Sequence, residues 1–91
     1  MIIHKYPLSI VDQQYLTMQS GATILSVQIQ NAQLFLWALV DKDSHQVKRV
    51  INIIGTGNPI MENPGIFIST VQTFGGALVW HVFDGGEHHD N

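Results

Sequence analysis

Two short glycine-bearing segments carry the residue types that could hold a phosphorylated ligand: Gly55, Thr56, Gly57 and Asn58 in one, Phe74, Gly75 and Gly76 in the other. Glycine lets the backbone turn so that successive N–H groups converge on an anion, and Thr56 and Asn58 add side-chain donors. Six residues before the first segment stands Arg49, the only arginine, whose guanidinium is a two-pronged donor for phosphate. Trp80 and His81 follow the second segment, and an aromatic face beside it could stack a base for about 1–3 kcal/mol. Plain structural roles compete for each of these residues. The glycines also suit ordinary turns, Arg49 could pair with Asp41 or Asp43, and Trp80 could pack in the core. Trp37, with apolar neighbours throughout, reads as core or interface. Ser26, Gln28 and Gln30 could read base edges or simply form solvated sheet surface.

Other chemistries find less support. The histidines include His88 and His89, followed by Asp90, with His81 upstream. Adjacent ligands near a chain end do not make a preorganised site, and neither a His-Glu-x-x-His pattern nor paired cysteines occur, so no metal or other cofactor is expected. Gly55-Thr56-Gly57 runs into Asn58-Pro59 instead of a helix, which leaves no Walker pattern and no dinucleotide fingerprint. There is no nucleophile elbow and no carboxylate pair set in apolar sequence. A small nucleotide-cleaving enzyme, for instance a hydrolase built on His81 and Asp84, ranks behind non-catalytic binding.

Composition narrows the partners. The 91 residues suit one domain, with a formal charge of −3 and only Lys5, Lys42, Lys48 and Arg49 as fixed cations. That charge is the wrong sign for a run of DNA or RNA phosphates, so polymeric nucleic acid is not an expected partner. Cysteine is absent, which leaves the core and any subunit interface to supply stability. The first eight residues are too short and polar for a signal sequence, and no apolar run nears the roughly 20 residues of a membrane span. A cytoplasmic protein without a membrane partner is expected.

The elements that must position these residues read as strands. Thr23 to Gln30 alternates, with Leu25, Val27 and Ile29 on one face and Ser26, Gln28 and Gln30 on the other. After a hairpin link at Asn31, Ala32 and Gln33, the run Leu34 to Val40 is apolar on both faces, as a strand covered on both sides must be. A chain this short has little material for two covers, so a second copy is expected to supply one, giving a homo-oligomer. Further strands are expected at Ile2 to Tyr6, Asp12 to Met18, Val47 to Ile54, Ile66 to Gln72 and Ala77 to Phe83, with a short helix within Ser9 to Met18 as an alternative. In the alternation of Val47 to Ile54, Arg49 shares a face with Val47, Ile51 and Ile53. Turn residues from Gly55 to Gly65 make the longest irregular stretch. About seven short strands predict an all-β domain over residues 1–84, a small antiparallel sandwich or partly open barrel, with a flexible tail at 85–91.

Five blocks also carry a resemblance: Ile-His-Lys-Tyr-Pro at 3–7, Ile-Leu-Ser-Val-Gln-Ile-Gln at 24–30, Leu-Trp-Ala-Leu-Val at 36–40, Gly-Thr-Gly-Asn-Pro at 55–59 and Phe-Gly-Gly-Ala-Leu-Val-Trp-His-Val-Phe at 74–83. Together they resemble a family of short phage and prophage open reading frames classed as a domain of unknown function. The resemblance transfers no catalytic or binding residue. It implies a setting, a small accessory protein inside a bacterial host cell, where counter-defence by capture of nucleotide immune signals is a recurrent role. The expected ligand is then a small phosphorylated nucleotide, derived from ADP-ribose or cyclic, held by Arg49, Gly55, Thr56, Gly57, Asn58, Phe74, Gly75, Gly76, Trp80 and His81. The alternative is an adaptor or inhibitor that binds a host protein through an apolar face or sheet edge.

Overall fold

Alternation and turn residues translate into seven strands in a computed structural model that describes residues 1–89. They are β1 Ile2–Pro7, β2 Gln13–Gln19, β3 Thr23–Gln30, β4 Gln33–Val40, β5 Gln46–Gly55, β6 Ile66–Thr73 and β7 Leu78–His88, with a single 3-10 turn, Phe74–Gly76, between β6 and β7. The domain is therefore all-β, and β2 occupies the segment for which a helix was the alternative. Two antiparallel sheets form, β1-β4-β3 and β2-β5-β7-β6, and they do not close into a barrel. No helix among the described residues is long and apolar enough to cross a membrane.

The three-stranded sheet is built on the β3–β4 hairpin. Gln30 pairs with Gln33, and the two linking residues Asn31 and Ala32 have φ of 53° and 62°, the paired left-handed turn that matches strand twist. On β4, Leu34, Leu36, Ala38 and Val40 are buried in one core with Val27, Met18, Ile51, Ile53, Val71 and Val82 from both sheets. Each large aliphatic side chain contributes about 1.5–3 kcal/mol on full burial. The opposite face of β4, with Phe35, Trp37 and Leu39, is only half-covered. The expectation of a strand buried on both sides is thus met on one side within the chain.

A bulge corrects the expected face of β3. The register slips between Ile24 and Ser26, so Ile24, Val27 and Ile29 stand opposite the inward residues Ala38, Leu36 and Leu34, while Leu25 is exposed. One extra residue reverses the alternation behind it.

In the four-stranded sheet, β5 lies between β2 and β7 and is the most enclosed strand. Arg49 does share its face with Ile51 and Ile53, and there its charge is met by Asp84 of β7. Arg49 Nε donates to Asp84 Oδ1 at 2.9 Å and Nη2 to Oδ2 at 2.7 Å, while Nη1 donates to the Ala22 carbonyl at 2.9 Å. Because Ala22 lies in the β2–β3 connection, this one side chain ties the four-stranded sheet to the crossover into the other. The pair is about seven-eighths buried, with side-chain exposures of 12% and 13%.

The tail expected at 85–91 is corrected as far as His88, since β7 continues through Gly85, Gly86 and Glu87 to that residue. The glycines that read as breakers form a bulge: Val50 faces Gly86 and Ile51 faces Asp84, so Gly85 is the extra residue. A Cβ on Gly85 would lie 2.8 Å from Val50 Cγ1, so only glycine fits. Residues 90 and 91 of the expected tail lie outside the described residues. The irregular stretch after β5 is likewise pinned. Asn52, 2% exposed, donates to the Pro64 carbonyl at 2.7 Å and accepts from Gln13 Nε2 at 2.8 Å. Gly65, with φ of 105°, packs directly on the Asp84 carbonyl.

Removing one member of the Arg49–Asp84 pair leaves the other charge partly buried and alone. Arg49→Ala should lower unfolding stability by about 3 kcal/mol, whereas Arg49→Met combined with Asp84→Leu should restore most of the loss. Urea denaturation of the three proteins measures both, and a single variant as stable as the parent would show that the pair holds nothing together.

Candidate functional site

The two glycine segments meet at one end of the four-stranded sheet. Gly55 pairs with Trp80 across β5 and β7, and the Thr56 N–H donates to the Val79 carbonyl at 3.1 Å. Asn58 N–H turns back to the Gly55 carbonyl, which closes the loop. Between this loop and the start of β7 lies a cleft of about 340 Å³, lined by Gly55, Thr56, Asn58, Ala77, Leu78, Val79 and Trp80. Trp80 is held in place there by its Nε1 donating to Thr73 Oγ1 at 3.0 Å and by its ring against Gly55, where a Cβ would lie 3.1 Å from the six-membered ring. Glycine at 55 is what lets the indole approach the strand.

His81, adjacent to Trp80 on the strand, faces the other side of the sheet. Its Nε2 lies 2.7 Å from Thr56 Oγ1 and its Nδ1 3.0 Å from Thr70 Oγ1. A neutral ring has one N–H and one lone pair, so one hydroxyl donates and the other accepts. His81 therefore positions Thr56 from behind without lining the cleft. Thr70 has no counterpart among the residues expected from sequence; its place opposite His81 is set by the β6–β7 register. Asp84 lies on the opposite face from His81, which separates the two groups of the hydrolase alternative.

Phe74 opens the turn that leads into Ala77 and Leu78. It is 82% exposed and holds φ of 53°, and Gly75 and Gly76 continue at 65° and 95°. A non-glycine residue in the left-handed region costs about 1 kcal/mol or more, and such outliers collect where a ligand or partner is met. Gly57, with φ of 88°, forms the exposed tip of the other loop.

Arg49 stands apart from this group. It lies six residues up β5 from Gly55, about 20 Å at the rise of a strand, and its donors are committed to Asp84 and Ala22. Ser26, Gln28 and Gln30 belong to the other sheet, where Gln30 Oε1 accepts from Lys5 Nζ at 3.0 Å. Neither the cleft nor the neighbouring hollow of about 420 Å³ under Gly55 and Asn58 contains a cation, and the second includes Asp12. The cleft thus offers neutral hydrogen-bond donors, loop backbone and an aromatic wall.

The ionic cluster around Arg49 has its own electrostatics. Burial pushes the Asp84 carboxyl upward, but hydrogen bonds from Arg49 and the Gly86 N–H, with the guanidinium charge, outweigh it and hold the carboxyl below the usual carboxylate range. Glu87 is lowered chiefly by the Gly21 N–H, 2.7 Å away, with Arg49 and His89 adding attraction. The Asp84 hydrogen bond raises Arg49 above its ordinary value against the cost of burial.

Residues 1–91 match the model of a family described as Domain of unknown function (DUF7352), and the chain belongs to that family. No curated protein and no solved structure matches it.

Since Asp84 and Glu87 titrate lower in the folded chain than in the unfolded one, the unfolded chain takes up protons first as the pH falls. Their contribution to stability is full above about pH 5 and is lost as the pH drops through the folded values. Urea midpoints measured from pH 7 to pH 3 should decline across that window, and Asp84→Asn should flatten the decline. Equal pH dependence in the two proteins would contradict the assignment.

Proposed function

We propose that this DUF7352 domain is a non-catalytic binding module that captures a small nucleotide-type ligand in the cleft between its Gly55–Asn58 loop and the start of β7. The observation that carries the reading is the strained, exposed Phe74 beside a concavity lined by Thr56, Asn58 and Trp80. A nucleoside fits that chemistry: its planar base against an aromatic wall, its sugar hydroxyls to Thr56 and Asn58, and any phosphate oxygens to loop N–H groups in place of Arg49. The volume, about 340 Å³, is at the small end for such ligands. With the phage-type resemblance of its sequence blocks, the role would be counter-defence in the host cytoplasm. Capture alone lowers the free concentration of a nucleotide immune signal, ADP-ribose-derived or cyclic, so no turnover is required.

A thermal-shift screen against ADP-ribose derivatives, cyclic nucleotides and their linear relatives tests the reading, since a ligand present at about 100 times its Kd adds roughly 2.7 kcal/mol. One class should raise the melting temperature and be recovered unchanged by chromatography. Phe74→Gly should stabilise the free protein by about 1 kcal/mol and weaken that ligand. No shift with any class, or unchanged affinity in both Phe74→Gly and Thr56→Val, would overturn it.

A second reading rests on the outer face of the three-stranded sheet. Trp37 and Leu39 are half-exposed there beside Ile3, which is 60% exposed, while Lys5 lies 4.4 Å over the Phe35 ring and screens only that end. We propose that a second copy covers the open part, making the module a homo-oligomer, with capture of a host protein as the competing use of the same face. Light scattering should give more than one chain per particle at micromolar concentration, and Leu39→Lys should reduce it to one. A parent protein that is already monomeric would remove the proposal.

A further inference from the structure

Adjacent residues on a strand point to opposite faces, and on β5 this separates two cations with different fates. Arg49 faces inward and is neutralised by Asp84. Lys48 faces outward and forms no ion pair among the described residues, the Arg49–Asp84 contact being the salt bridge present there. The strand register then builds a row across three strands: Thr17 of β2, Lys48 of β5 and His88 of β7 stand directly opposite one another. With Gln46, Val47 and His89 these residues line an open cleft of about 390 Å³.

The chemistry of that lining is one-sided. An ammonium, a hydroxyl, an amide and two imidazoles all offer hydrogen-bond donors, and no carboxylate is among them. Among the described residues, the neighbouring acid Glu87 is held by the Gly21 N–H and Ser20 and is further lowered by His89. Two residues along β2 from Thr17, Tyr15 is 50% exposed, with its ring 5.1 Å from the His88 ring. Opposite Val50, its cross-strand neighbour, stands Gly86, which has no side chain to crowd the ring.

We propose that this cleft binds the phosphate of a small phosphate ester such as a nucleotide, with Lys48 as the charge anchor, Thr17, Gln46 and His89 as further donors, and Tyr15 as a platform for the attached ring. It stands about 23 Å from Gly55 along β5, so it does not rest on the glycine-loop reading. Because the donors are solvent-exposed, binding falls as ionic strength rises. The row owes its position to the extension of β7 past Asp84, which brings His88 against Lys48.

Isothermal titration with AMP, adenosine and inorganic phosphate at low salt tests the site in the full chain. AMP should bind, inorganic phosphate more weakly, and adenosine not at this site. Lys48→Ala should weaken AMP about tenfold or more, and Lys48→Arg should retain it. Lys42→Ala, on an exposed turn that lines neither cleft, should leave it unchanged. Binding lost in Thr56→Val but kept in Lys48→Ala would place the ligand at the glycine loops and overturn this site while leaving that reading intact. No AMP or phosphate binding at millimolar concentration would also overturn it. NMR shifts confined to Tyr15, Thr17 and Lys48 on adding phosphate give an independent readout.

Discussion

The bidentate contact between Arg49 and Asp84 is the constraint on which most of the molecule depends. A guanidinium inside a small β domain is costly unless a carboxylate meets it and its remaining donors find acceptors. Here Asp84 and the Ala22 carbonyl meet both conditions. Asp84 follows Trp80 and Val82 on the inward face by alternation, and directly beyond it β7 bulges at Gly85, where the extra residue must have no side chain against Val50. Gly65 must in turn pack on the Asp84 carbonyl, which draws the loop after β5 down over the sheet and gives Asn52 its partner at Pro64. One ion pair therefore organises the crossover between sheets, the end of β7 and the longest loop.

Much of the fold was legible because alternation and breakers act locally. The seven strand positions and the link at Asn31 and Ala32 follow from period-two pattern and turn chemistry. The failures share one cause, that long-range pairing overrides local signals. Gly85 and Gly86 look like the beginning of a tail until β5 is known to lie beside them. The Leu25 bulge is invisible in a sequence that alternates cleanly across it. Of the expected site, Gly55, Thr56, Asn58 and Trp80 do converge on one cleft because the end of β5 pairs with the start of β7 at one end of the sheet. Arg49 does not, because its proper partner, Asp84, lies thirty-five residues away and carries no motif. The signal that could have found it was the placement of a lone charge on an apolar face, which demands a buried counter-charge.

The two sheets differ in what they leave for other molecules. The three-stranded sheet offers an apolar outer face around Trp37 and Leu39, suited to another protein surface. The four-stranded sheet has a mixed outer side, where the Phe67–Phe83 ring pair and the exposed Tyr15 accompany His81 between two threonines at one end and Lys48 among donors at the other. A strand that holds its arginine inside and its neighbouring lysine outside assigns stability to one cation and leaves the other open to ligands. This makes the identity of residue 49 a matter of folding, and residue 48 the one on which the proposed anion binding turns.

That division is tested most directly by the NMR signal of the Arg49 Nε–H, which is unambiguous because the chain has a single arginine. A buried hydrogen bond to Asp84 predicts a slowly exchanging resonance that keeps its position when AMP or inorganic phosphate is added, while signals of Lys48 and Tyr15 move. An Arg49 Nε–H that exchanges as fast as a free side chain, or that shifts as ligand binds, would contradict it.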